Sequence, residues 1–167
     1  MQTDVTLPFA DGEYRFRLTI PQVSELQRKT GAGIGPLFAR VIQGWYLNPD
    51  GEEFGNPVEA GYHLLDLIET IRLGLIGGGG GTVNGEAVRM TDQFARDLMA
   101  DYVFPARPLS EAWKLAKSIL SVAVEGWEDP KKKEPDDAVE ATADGSTTPA
   151  PSVPSPSADT PSSMLER

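Results

Sequence analysis

The beginning of the fold is decided by VTLPFADGEYRFRLTI, residues 5–20, in which apolar and polar side chains alternate on both sides of Asp11-Gly12. Such alternation is typical of strands with one buried face, and Asp-Gly favours the positive φ angles of a two-residue turn. We therefore predict a β-hairpin with Asp11 and Gly12 as its turn. In this register three pairs share one face: Phe9 with Tyr14, Leu7 with Phe16, and Val5 with Leu18.

Two arginines, Arg15 and Arg17, fall on the opposite face of the predicted hairpin. Two interpretations of these charges remain open. The arginines could bind an acidic partner, or they could prevent an exposed strand edge from pairing with other chains.

After the hairpin, apolar residues recur at helical spacing in five segments. Pro and Gly set several of the boundaries, and Asn56, followed by Pro57 and Glu59, predicts the start of the third helix. The predicted helices span residues 21–30, 36–43, 57–76, 84–103 and 108–125. We expect strands only at the start of the chain. The predicted class is therefore α+β and mostly helical, with an N-terminal β-hairpin followed by about five helices in one compact domain.

The composition of the chain restricts its function. Its 167 residues carry a net charge of −10, which disfavours binding to nucleic-acid phosphates. The absence of cysteine excludes disulfides and thiolate metal sites. The N-terminal residues lack the pattern of a signal peptide, and no stretch approaches the roughly 18 apolar residues of a membrane helix. We expect a cytoplasmic protein that binds neither nucleic acid nor membrane.

The composition changes after Trp127. Half of the 14 prolines lie beyond this residue, and no aromatic residue does. A segment of this kind buries too little apolar surface to offset the entropy cost of ordering it. We predict a folded domain over residues 1–127 and a disordered, acidic, Ser/Pro-rich tail over residues 128–167.

Three features of the sequence could suggest catalysis, but each lacks the residues that catalysis needs. The five glycines of residues 77–81 lack the Lys-Ser/Thr pair of a phosphate-binding loop, and we expect a flexible connector there. His63 is the only histidine and has no recognisable metal-ligand or acid–base partners, which favours a structural role. Asp97 and Asp101 are typical of a solvated helix face. We predict that the protein is not an enzyme and has no catalytic, cofactor-binding or metal site.

Three aromatic residues, Trp45, Tyr46 and Phe54, lie in a turn-rich segment before the third predicted helix. Aromatic side chains in a loop can anchor a partner protein, and they can equally fold back to cover the core. Both interpretations remain open. Together with Arg15 and Arg17, these residues are the candidate partner-binding positions.

Three parts of the sequence carry a family resemblance. They are DGEYRFRLTI (11–20) with SELQRKTG (24–31) and IGPLF (34–38), then ETIRLGLIGG (69–78), and finally RPL (107–109). In this order they resemble the tail assembly chaperone family of gene transfer agents and tailed phages, which is also labelled a tail tube family. The resemblance covers about residues 9–125 and includes no catalytic motif.

The resemblance implies a cytoplasmic chaperone that coats the helical tape measure protein until the tail tube polymerises around it, and that is absent from the finished particle. Tape measure protein is the implied partner, and the tail tube protein and a second copy of this chain are further candidates. No cofactor is implied. The alternative is a structural tail tube or minor tail protein that stays in the particle. Tube subunits build long sheets, so the single predicted hairpin argues against this alternative.

Overall fold

The computed structural model describes residues 1–128, and the predicted tail beyond Glu128 lies outside the described residues. The described part has the predicted α+β, mostly helical class, with an N-terminal hairpin and five helices. The strands are β1 (Asp4–Phe9), β2 (Gly12–Arg17), β3 (Trp45–Leu47), β4 (Glu53–Gly55), β5 (Gly80–Val83) and β6 (Glu86–Arg89). The helices are α1 (Ile20–Thr30), α2 (Ile34–Ile42), α3 (Leu64–Gly78), α4 (Asp92–Tyr102) and α5 (Leu109–Glu125). None of these helices is long and apolar enough to cross a membrane.

The strands form two sheets, so the expectation of strands only at the start of the chain is wrong. An antiparallel four-stranded sheet has the order β1-β2-β5-β6, and β3 pairs with β4 in a separate hairpin. The helix predicted from Asn84 does not begin there, because Asn84 and Gly85 turn the chain between β5 and β6 with φ angles of 51° and 84°. Asn-Gly is a strong hairpin signal, and the helical pattern that follows belongs to α4 alone.

The N-terminal hairpin forms, but the predicted register is wrong, since it differs from the observed one by two residues. Ala10 and Asp11 occupy the turn, and Ala10 has a φ of 55°. Gly12 lies in β2, where a Cβ atom would be 2.3 Å from the carbonyl oxygen of Thr82 in β5. Because the shift is even, the same side chains still face the core. The observed pairs are Phe9 with Gly12, Leu7 with Tyr14, and Val5 with Phe16.

The run of five glycines lets two backbone segments pack closely, and the prediction of a flexible connector is wrong. A Cβ atom on Gly78 would lie 1.7 Å from the carbonyl oxygen of Arg15, and one on Gly77 would lie 2.1 Å from that of Arg17. The end of α3 therefore touches the backbone of β2 directly. Gly79 ends the helix with a φ of 80°, and the chain then enters β5.

Helix α3 is central, since it packs against β2, α1, α4 and α5. It begins at Leu64, so the predicted start at Asn56 is wrong. Asn56 instead forms a turn, in which its carbonyl oxygen accepts the N–H of Glu59 at 3.1 Å. His63 occupies the N-cap position of α3, and its N–H donates to the Asp66 carboxylate at 2.8 Å.

The core between α2 and α5 is built around Trp113, the largest completely buried side chain. Its indole N–H donates to the carbonyl oxygen of Val41 in α2 at 2.6 Å. Trp113 lies three residues before Ala116 and seven before Leu120, so the helical spacing of the sequence already placed it on the buried face. Val124, near the other end of α5, is exposed.

Candidate partner-binding surface

The β3–β4 hairpin presents apolar side chains to solvent. Its register pairs Tyr46 with Phe54, and their rings lie 5.5 Å apart. The exposed fractions are 45% for Tyr46, 53% for Phe54 and 70% for Leu47. Leu47 was not predicted as a partner-binding residue, although it directly follows two aromatic residues. A hairpin with three large exposed apolar side chains is typical of a partner-binding surface.

Trp45 differs from the other two aromatic residues because it folds back onto the core. Its ring lies 4.8 Å from that of Trp113, and Gly55 leaves room for this packing, since a Cβ atom there would lie 2.9 Å from the Trp113 ring. The interpretation of a ring that covers the core therefore applies to Trp45, whereas partner binding by Tyr46 and Phe54 stays a prediction. Trp45 attaches the hairpin to α5, whereas Tyr46 and Phe54 extend outward.

A cleft of about 310 Å³ lies beside the hairpin, between α2 and α5. We call it the α2–α5 groove. Phe38 and Ile42 of α2 form one wall, and the residues of β3 form a second. Its polar lining residues are Glu53, Lys117, Ser121 and Glu125. The groove is therefore lined by apolar side chains together with two carboxylates, one ammonium group and the Ser121 hydroxyl.

Among residues 1–128, two carboxylates and one ammonium group line the α2–α5 groove, so its charged lining is negative on balance. The ammonium group of Lys117 pairs with the Glu53 carboxylate and lies 4.9 Å from the centre of the Trp45 ring, so this cation is already engaged. Glu125 lies in the last turn of α5, which contains no basic residue. Because a helix C-terminus carries partial negative charge, the Glu125 carboxylate there is unfavourable unless a cation approaches.

The hydroxyl of Tyr46 donates to the Glu59 carboxylate, which adds a further negative group beside the hairpin. This hydrogen bond raises the pKa of the Tyr46 hydroxyl above its usual value, because the nearby carboxylate opposes ionisation. The Tyr46 ring is therefore fixed by its own hydrogen bond while its apolar surface stays exposed.

The structure places Arg15 and Arg17 on β2, in a different sheet from the aromatic residues. Nε of Arg15 pairs with the carboxylate of Asp4 on β1 at 2.7 Å. Arg17 is exposed and makes no ion pair within residues 1–128. By register, Arg89 of β6 lies on the same outer face, which the sequence alone did not reveal because β6 was read as a helix.

A second cleft, of about 340 Å³, lies between the β1–β2 turn, the end of α4 and the start of α5. Its charged lining residues, Arg107 and Glu111, approach each other to 3.7 Å, and Arg107 also lies over the Tyr102 ring at 5.6 Å. The Arg107 guanidinium and the Glu111 carboxylate therefore neutralise each other's charge. Across residues 1–128, no three His, Cys, Asp or Glu side chains are close enough to hold a metal ion.

The buried charges of α3 serve the fold. Asp66 is completely buried and accepts hydrogen bonds from Arg40 of α2 at 2.8 and 3.1 Å. Glu69 pairs with Lys29 of α1 at 3.1 Å and with Arg72 at 2.8 Å. Each carboxylate joins α3 to a neighbouring helix. Neither faces the α2–α5 groove or the second cleft.

These observations define a small α+β protein with exposed apolar side chains on the β3–β4 hairpin and two surface clefts. The sequence model of a family described as "phage tail tube protein, GTA-gp10" matches residues 2–126, about three quarters of the chain. The chain therefore belongs to this family of phage and gene-transfer-agent tail proteins. No curated protein and no solved structure matches it.

Proposed function

We propose that this protein is a tail assembly chaperone of a phage or gene transfer agent, and that it binds and shields the tape measure protein during tail morphogenesis. The observation that carries the proposal is the exposed surface of Tyr46, Leu47 and Phe54 beside the α2–α5 groove. In this proposal the protein acts by binding, without catalysis or a cofactor. It works in the bacterial cytoplasm and is absent from the mature particle.

The chaperone would act by covering apolar surface of the tape measure protein reversibly. A long tape measure helix exposes apolar side chains that would otherwise associate with other chains, and a groove with apolar walls can accept such a helix face. Exposed aromatic side chains contribute most of the affinity in interfaces of this kind, typically about 2 kcal/mol or more each. This surface has only two such side chains, Tyr46 and Phe54, which favours weak binding. The polymerising tail tube can then displace the protein.

The experiment that tests the proposal is co-expression of the full chain with the tape measure protein of the same phage or gene transfer agent. We expect a larger soluble fraction of tape measure protein and a complex that elutes together in size-exclusion chromatography. Unchanged solubility together with the absence of a complex would contradict the proposal. Mass spectrometry of purified particles should detect no stoichiometric amount of this chain.

The second candidate function is that of a structural tail tube or minor tail protein, which the family description favours. The main sheet has four strands and not the two of a single hairpin, so the size of the sheet does not speak against this candidate. Within the described residues, β6 pairs only with β5, so one edge of the sheet is available to another strand, either of the tail tube protein or of a second copy. Stoichiometric presence of this chain in purified particles would decide for this candidate.

A further inference from the structure

We propose that the occupant of the α2–α5 groove is an amphipathic helix whose apolar stripe is flanked by lysine or arginine. This inference rests on the proposed function, because it assigns the tape measure protein's binding segment a chemical character. It goes further in naming the site, the length of helix that fits and the sign of its flanking charges.

The shape of the groove favours a helix. Three residues of α5, Lys117, Ser121 and Glu125, line it at intervals of four, so the groove follows one side of α5 for about two turns, or roughly 12 Å. A volume of about 310 Å³ is at the low end for ligand pockets, so it suits a few aliphatic side chains better than a whole small molecule. A helix lying along α5 would supply such side chains from positions i, i+3 or i+4, and i+7.

The charged residues that line the groove favour a basic occupant. Lys117 is already paired with Glu53, whereas Glu125 lies exposed at the negative end of α5. Asp50 and Glu52 of the hairpin turn are also exposed and acidic. A lysine or arginine on the incoming helix would relieve the unfavourable position of Glu125, while a glutamate there would be repelled.

The hairpin side of the groove favours an apolar stripe. Leu47 and Tyr46 both line the groove and are exposed, so water covers apolar surface that an occupant would bury. The cost of reorganisation is low, since the Trp45 packing and the Tyr46 hydrogen bond already fix the hairpin. The groove is therefore pre-organised for the apolar side of a helix.

The test uses two fluorescently labelled synthetic peptides of about 18 residues, long enough to form a helix. Both carry the same leucine stripe, and they differ only in having lysine or glutamate as flanking residues. We expect fluorescence anisotropy with the full chain to show at least about threefold tighter binding of the lysine peptide. Equal affinities, or a preference for the glutamate peptide, would overturn the inference.

Two variants locate the binding. Glu125→Lys should weaken binding of the lysine peptide and reverse the preference, whereas Glu86→Lys makes the same charge change on β6 and should leave the preference unchanged. Leu47→Ser should weaken both peptides by about tenfold. Because these three residues are exposed, folding should be unaffected, and circular dichroism checks this. Unchanged affinity for both peptides in Leu47→Ser, or the same effect from both lysine substitutions, would overturn the inference.

The outcomes separate this inference from the proposed function. If the full tape measure protein binds the wild-type, Glu125→Lys and Leu47→Ser chains equally well, the groove is not its site, and the chaperone proposal stands. If the tape measure protein does not bind the wild-type chain at all, the chaperone proposal fails, whatever the peptides do.

Discussion

The ion pair between Arg40 and Asp66 provides a quantitative test of how α2 is held on α3. The Asp66 carboxylate is completely buried and accepts two hydrogen bonds from Arg40 and one from the N–H of His63. The substitution Arg40→Met keeps much of the side-chain volume but removes the charge and its donors. Asp66 would then be buried without its main partner.

We expect Arg40→Met to lower the free energy of unfolding by about 3–5 kcal/mol, the usual cost of removing one partner from a buried ion pair. Since 27% of the Arg40 side chain is exposed, water can reach the vacated position, and the lower end of this range applies. Total stabilities of domains are about 5–15 kcal/mol, so the variant should lose a large fraction of its stability.

The assay is urea unfolding of the full chain, followed by circular dichroism. The matched control is Arg28→Met, whose partner Glu25 lies in the same helix on the surface. The side chains of Arg28 and Glu25 are 69% and 34% exposed, so this substitution should change the free energy of unfolding far less than Arg40→Met. A cost for Arg40→Met no larger than that of the control would refute the argument that burial makes this pair important.

Four further substitutions test other parts of the fold by the same assay. Gly78→Ala places a Cβ atom 1.7 Å from a β2 carbonyl oxygen and should cost about 3 kcal/mol, whereas Gly35→Ala, with open space, should gain up to about 1 kcal/mol. Trp113→Ala should cost about 3–5 kcal/mol. The Arg96 hydrogen bond holds the pKa of Asp92 below its usual value, so stability should fall as pH drops below about 3.9, and less so in Asp92→Asn.

The candidate surface and the core are separable in this structure. Leu47 and Phe54 are more than half exposed, so their substitution by serine should change binding far more than stability. Trp113 and Asp66 are completely buried, and their substitution should lower stability without removing any side chain of the exposed surface. This division allows binding experiments to be interpreted without loss of folding as the explanation.

The candidate site could be predicted only in part. The sequence identified Trp45, Tyr46 and Phe54 as a group, because aromatic residues in a turn-rich segment are conspicuous. It could not divide them, since only the packing of Trp45 on Trp113 decides which ring is covered. The groove itself was not predictable, because α2 and α5 are far apart in the sequence.

Elements whose signals are local could be predicted from the sequence. Alternation set the faces of β1 and β2, Pro21 and Gly31 marked the ends of α1, and Pro108 marked the start of α5. Each of these signals acts within a few residues, so the rest of the fold is not needed to read it.

The tertiary structure alone decided the hairpin register and the role of the glycine run. Gly12 is a good turn residue, yet it lies in β2 because β5 passes too close for a side chain. Gly77 and Gly78 would suit a flexible connector, yet they are held against the β2 backbone. In both cases the deciding contact comes from a distant part of the chain. Glycine is compatible with turn, loop and close packing alike, so only the neighbouring backbone selects among them.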